Sequence, residues 1–178
     1  MKRIVLTGGP SCGKTSLIEY FSSLGYNCLR EVAREILSER NQNEPTKSEW
    51  YIRQKLIYER QLAREECLTK GINFLDRGVN DNLGYSTFFH GDRLDFFDKN
   101  LLSNRYNLIF SLDRLPLVSD GLRWEGEEEA KRIHELVLES YTSFGYKLIK
   151  VPVFTCETLQ DSIRKRAEFI LKRVGGKR

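Results

Sequence analysis

The apolar positions of this chain fall into two alternating rhythms. Short apolar runs stand at 2–7, built on Ile4-Val5-Leu6, and at 26–30, 72–76, 108–113 and 147–151. Runs of this length read as strands, and the most continuous of them as strands buried on both faces. Between them, apolar residues recur at spacings of three and four, the stripe of an amphipathic helix. This pattern covers 16–21 with a start near Gly13, then 31–37, about 47–69, 127–144 and about 158–173. Two shorter helical patterns flank Gly91 within 80–104.

End signals sharpen these bounds. Gly25, Gly71 and Gly145 sit where helices stop. Thr46 and Glu49 form a T-x-x-E capping box that opens the long helix after a polar loop closed by Pro45. Glu127-Glu128-Glu129 supplies the acidic first turn that a helix dipole favours, and Ala130, Ile133, Val137, Tyr141 and Phe144 make the stripe behind it. Strands alternating with helices imply an α/β fold, with a parallel sheet covered by helices on both faces. No repeat or linker divides the chain, so 1–178 reads as a single domain with a flexible tail at 174–178. In such sheets ligands sit beyond the carboxyl ends of the strands. The polar residues there are Glu31, Asp76 with Arg77, and Asp113 with Arg114.

Composition narrows the class. The apolar fraction is 40% and the charged fraction 30%, a soluble globular balance without a run of transmembrane length or a signal-peptide layout. The four cysteines form no C-x-x-C pair, which speaks for reduced thiols in the cytoplasm and against a zinc site or disulfide frame. A net charge of +4 suits polyphosphate ligands, while the lack of a long basic cluster speaks against nucleic acid. His90 and His134 lack metal-ligand partners at suitable spacing and read as ordinary histidines.

The chemistry concentrates at 8–15, GGPSCGKT, between the first strand and the first helix. It fits G-x-x-x-x-G-K-[ST], the P-loop pattern, which chance supplies far less than once in a chain of this length. Gly8 and Gly13 let the backbone turn its N–H groups toward phosphate oxygens, and the helix behind adds its positive end. The nucleotide-binding candidates are Gly8, Gly9, Pro10, Ser11, Cys12, Gly13, Lys14, Thr15 and Ser16. Lys14 is expected to reach the β- and γ-phosphates of ATP, and the Thr15 hydroxyl to ligate Mg²⁺. Cys12 reads as a small loop residue, with a redox switch as the alternative.

Asp76 follows an apolar strand as a Walker B acid does, and is expected to face Mg²⁺ opposite Thr15. Glu31, beside Arg30 and Arg34, has two readings: a base for an acceptor hydroxyl, or the first-turn acid of its helix. Arg34 and Arg77 are acceptor-binding candidates, with a surface salt bridge as the other reading of Arg77. The connection 114–124 is longer than a strand-to-helix link needs and carries Arg114, Gly121 and Arg123, the pattern of a lid whose arginines neutralise transition-state charge. Trp124 beside it is a packing residue or a cover for a bound base. Arg53, Gln54 and Gln61 read as a solvated flank of the long helix, with the acceptor pocket as the alternative.

GGPSCGKT, REVARE at 30–35, FLDRG at 74–78 and DGLRWEGEEEAKRIHE at 120–135 together resemble a family of small P-loop AAA-domain ATPase/kinase-like proteins, akin to nicotinamide riboside kinase domains. Asp76-Arg77 also resembles the acid-Arg pair of thymidylate and deoxynucleoside kinases. The resemblance implies a P-loop NTPase three-layer sandwich with strand order 2-3-1-4-5. It maps the base of those kinases onto Glu31, although the Pro that often follows that acid is missing here. The function expected is ATP- and Mg²⁺-dependent phosphoryl transfer to a nucleoside-like small molecule. The alternative is a nucleotide-dependent switch acting through a partner. An N-K-x-D base-reading motif is missing, which disfavours a GTPase, and the chain is short for a ring-forming motor.

Overall fold

The computed structural model describes residues 1–38, 46–91, 95–115 and 126–175. Five strands, β1 (Lys2–Thr7), β2 (Asn27–Leu29), β3 (Ile72–Asp76), β4 (Leu108–Leu112) and β5 (Leu148–Val151), form one parallel sheet in the order β2-β3-β1-β4-β5. The helices are α1 (Lys14–Ser23), α2 (Val32–Ser38), α3 (Lys47–Glu66), α4 (Val79–His90), α5 (Lys99–Leu102), α6 (Glu127–Thr142) and α7 (Leu159–Val174).

The sheet separates two cores because successive strand residues point to opposite faces. Ile4 and Leu6 pack with Leu17 and Phe21 of α1, Phe74, Phe110 and Ile170 of α7. Phe21 and Phe74 stack with ring centroids 4.0 Å apart. Val5 points the other way, toward Leu75, Val79 and Leu83 of α4, and Ile133 and Val137 of α6.

Register aligns the carboxyl ends of the strands. Leu6 pairs with Asp76, and Thr7 with Ser111. The loop after β1, the Asp76-Arg77 pair and the Asp113-Arg114 pair therefore share one edge of the sheet. The acidic first turn of α6 and the capping box of α3 are present as expected.

Two boundaries differ from the sequence pattern. α3 ends at Glu66 and not near 69, since Cys67 N–H bonds to Arg64 O in a tight turn. The carbonyl of Thr69 then accepts from the Asn73 side chain at 3.0 Å, outside any helix. α7 runs on to Val174, whose side chain is buried. Residues 116–125, with Gly121, Arg123 and Trp124, and the tail residues 176–178 lie outside the described residues.

Candidate nucleotide and acceptor site

The loop 8–13 is held in place from both sides. Gly13 adopts φ 74°, in the left-handed region, and opens α1. The Gly8 and Gly9 carbonyls both accept from Lys14 Nζ, at 2.9 and 2.7 Å. Those carbonyls face the site, so by the planarity of a trans peptide the N–H of Gly9 faces away from it. It donates to Nδ1 of His134 on α6 at 3.1 Å. The carbonyls of Ser11 and Cys12 point outward. Ser11 O accepts from Leu115 N–H at 2.9 Å, and Cys12 O from Arg166 Nη1 at 2.9 Å. The N–H groups of Cys12 and Gly13 are therefore turned inward, the arrangement of an anion nest. Burial, and then Arg77, pull the Lys14 ammonium below its ordinary pKa. An ammonium has three donors, and its bonds to these two carbonyls use two of them.

Asp76 is 1% exposed at the end of β3. Its Oδ2 accepts from Thr15 Oγ1 at 3.1 Å, and its Oδ1 has no hydrogen-bond partner among the described residues. Burial, and then the charge of Glu31, push its carboxyl up to about 6. A buried carboxylate oxygen without a partner is costly and implies a missing ligand. The oxygens of Thr15 and Asp76 are hard donors of the kind Mg²⁺ takes, one or two from protein and the rest from phosphate and water. Among the described residues no cluster of three His, Cys, Asp or Glu could form a metal cage of its own.

Arg77 has φ 73° and sits directly after Asp76. A non-glycine residue in that region costs roughly 1–3 kcal/mol and persists only when its surroundings fix it. Here Nε donates to Glu31 Oε1 at 2.7 Å, Nη1 to Gly8 O at 3.1 Å and Asp81 Oδ1 at 3.2 Å, and Nη2 to Tyr85 Oη at 3.0 Å. Most of the guanidinium is thus committed to protein groups, and it ties the loop to Glu31. Burial pushes the Glu31 carboxyl up, but Arg77 and Lys14 outweigh it and hold it below its ordinary value. Arg34 lies 3.9 Å from Glu31. The sheet edge therefore brings together Lys14, Thr15, Glu31, Arg34, Asp76 and Arg77. Arg114 pairs with Glu127 at 2.8 Å, at the start of α6. Arg123 lies outside the described residues.

Four functional contacts escaped the sequence pattern. Asp81 is fully buried and accepts from Thr7 Oγ1, Arg77, Gly78 N–H and Tyr141 Oη; its i+4 spacing from Arg77 was a usable signal. Arg166, on α7, also donates Nη2 to Asp113 O at 3.2 Å. His134 touches the loop and is not an ordinary surface histidine; its place on the Ala130–Val137 face of α6 was the clue. Gln54 is likewise not solvated. It is 3% exposed, and its Oε1, like the buried Oγ of Ser86 on α4, has no partner among the described residues. Beside them Trp50 and Phe89 stack with centroids 4.1 Å apart, and Tyr85 continues the row to Arg77.

A parallel sheet in the order 2-3-1-4-5, with a phosphate-type loop after β1 and an acid at the end of β3, is a P-loop kinase-like fold. The family model for an AAA domain matches residues 3–158, and the chain belongs to that family. Among solved structures, NadR protein in complex with NR is similar at 21% identity and TM-score 0.74, over 99% of this chain and 52% of that one. Deoxyadenosine kinase from M. mycoides is similar at 16% identity and TM-score 0.67, over 98% of this chain and 100% of that one. Thymidylate kinase from Ehrlichia chaffeensis is similar at 15% identity and TM-score 0.62, over 97% and 98%. No curated protein matches the sequence. Among the described residues no helix is long and apolar enough to cross a membrane.

Proposed function

We propose that the protein transfers the γ-phosphoryl group of ATP to a small nucleoside-like acceptor, with Mg²⁺. The observation that carries this reading is Asp76: a buried carboxylate with one oxygen on Thr15 and the other unpartnered among the described residues, beside the Glu31–Arg77 pair. A simple binding loop has no use for so costly an acid. The whole chain acts as one nucleotide-binding unit in this reading, without nucleic acid or membrane, and its free thiols suit the cytoplasm.

In this proposal the inward N–H groups of the loop hold the phosphates, and Lys14, kept in place by the Gly8 and Gly9 carbonyls, turns its third N–H to the β- and γ-oxygens. Thr15 and Asp76 hold Mg²⁺, which when bound offsets charge on the β- and γ-phosphates. Arg77 fixes Glu31 as an ionised carboxylate, so that it can accept the proton of an acceptor hydroxyl. Arg34, 3.9 Å from Glu31, meets the acceptor in this reading. Arg114 would offset charge on the phosphates during transfer, while Arg123 lies outside the described residues. The unpartnered Gln54 Oε1 and Ser86 Oγ, beside the Trp50–Phe89 stack, support an acceptor with a planar ring and hydrogen-bonding edge. The similar kinases and the NR-bound NadR protein point the same way.

Glu31→Gln keeps the shape and an oxygen for Arg77 but cannot take a proton. Its kcat is expected to fall about 10²-fold, with ATP affinity changed little, as steady-state kinetics against binding titrations would reveal. The proposal itself is tested by ADP release measured against nucleosides, nucleoside monophosphates and pyridine ribosides. Release that depends on one acceptor class supports it. Release at one basal rate regardless of acceptor supports the alternative, a switch protein acting through a partner.

A further inference from the structure

The Gly8–Gly9 peptide is clamped on both sides. Its carbonyl accepts from Lys14 Nζ and Arg77 Nη1, and its N–H donates to His134 Nδ1. Glycines flank the bond, Gly8 at φ 135°, so the backbone itself offers little resistance to a flip of this peptide. A flip would point an N–H at the Lys14 ammonium and turn the carbonyl away from it. The contact with α6 is also too close for a side chain at position 9: a Cβ there would lie 2.8 Å from His134 Cβ and 3.0 Å from Ala130 O. The orientation of this peptide therefore depends on what the imidazole presents.

We propose that His134 is a positioning residue of the nucleotide site: its neutral ring, accepting at Nδ1, fixes the Gly8–Gly9 peptide and with it the resting place of Lys14, so that nucleotide affinity depends on the ring remaining neutral. The inference rests on the reading of 8–15 as the nucleotide loop.

An imidazole protonated at Nδ1 has no lone pair there and would oppose the Gly9 N–H. The surroundings keep the ring neutral at ordinary pH. Burial, then Lys14 and Arg114, lower its pKa, against smaller opposing effects from Asp113 and Glu135. Cys12 Sγ lies 3.7 Å from the same nitrogen. The sign follows. A base with a depressed pKa keeps its acceptor until the pH falls below the ordinary imidazole range, and loses it on further acidification. His134 also joins the loop to α6, the helix that begins just beyond residues 116–125 and receives Arg114 through Glu127.

The test uses the full chain and a fluorescent ATP analogue, titrated without metal between pH 4.5 and 8, on wild type, His134→Ala and His134→Asn. The Asn side-chain oxygen can stand near the place of Nδ1 and does not titrate. At pH 8, His134→Ala is expected to bind about tenfold more weakly, the value of one good hydrogen bond, and His134→Asn to recover most of that loss. The phosphates and Asp76 titrate in the same range in every protein, so the difference between the pH profiles carries the test. Wild type should lose several-fold more affinity than His134→Asn between pH 8 and 4.5. Folding of each variant is checked by its thermal transition. If His134→Asn binds as weakly as His134→Ala while both are folded, or if its pH profile matches wild type, the positioning role is wrong. If wild type itself binds no nucleotide, the reading of the loop fails, and this inference with it.

Discussion

Lys14→Ala is expected to lose about 10³-fold in turnover, the upper range for removing one group aimed at transition-state charge, while remaining folded. The structure explains why function and stability part here. Lys14 is 6% exposed, and among the described residues its ammonium hydrogen-bonds to the carbonyls of Gly8 and Gly9. Burial, and then Arg77, lower its pKa, so folding disfavours the charged form. A base whose folded pKa is depressed costs stability at pH values where the unfolded chain would hold the proton. Removing it relieves that cost, and Gly8 O retains the Arg77 Nη1 donor. Gly9 O loses its Lys14 partner, a debit of about 1 kcal/mol. The two effects oppose each other, and the thermal midpoint should stay close to wild type. Steady-state kinetics and thermal denaturation on the same preparation check this. A Lys14→Ala protein that binds and turns over ATP as wild type does would remove the basis for the phosphate role of the loop.

Asp76→Asn should show the opposite signs even more clearly: turnover down by about 10²- to 10³-fold, and the metal-free protein more stable at neutral pH. Burial and Glu31 raise the Asp76 carboxyl to about 6, above its ordinary 3.8. A carboxyl raised in the folded state adds stability in acid, where both states hold the proton in the folded form's favour, and loses that advantage as pH rises through about 6. Above that range the ionised Asp76 is a net cost on the order of 1–3 kcal/mol. Asn keeps an oxygen for the Thr15 hydroxyl and removes the charge. The gain in midpoint should therefore be visible at pH 7.5 without metal and shrink toward pH 4.5. Turnover across a Mg²⁺ titration should stay low in the variant, while ATP affinity without metal changes little. Turnover equal to wild type at every Mg²⁺ concentration would reject the metal role of Asp76.

Much of this site was legible because local signals and topology agree. The Ile-Val-Leu run, the glycine-rich loop and the helical stripe behind it placed Lys14 and Thr15 without help. The rule that ligands gather at strand carboxyl ends picked out Glu31, Asp76 and Arg77 from a much longer roster of charged residues. The strand order came with the family resemblance, since periodicity says which segments are strands and not which strands are neighbours. His134 and Arg166 were hidden for a different reason. They reach the loop from residues 125 and 154 positions away, at Gly9 and Cys12. Each sits on a helix with an ordinary amphipathic pattern, and only the packing of α6 and α7 against the sheet gives their polar ends a target. Gln54 failed as a solvated residue because a glutamine's stem packs like an apolar side chain and its amide then needs a partner. α3 ends at Glu66 because Cys67 N–H turns back to Arg64 O, a local bond that the spacing of apolar residues does not encode.

The fate of the γ-phosphoryl group tests the account most directly. With γ-labelled ATP, Mg²⁺ and the acceptor that most accelerates ADP release, the label should appear on the acceptor in amounts matching the ADP formed. Lys14→Ala should produce neither in measurable yield. Label released only as inorganic phosphate, at a rate indifferent to every nucleoside, nucleotide and pyridine riboside offered, would contradict phosphoryl transfer and leave a nucleotide-hydrolysing switch.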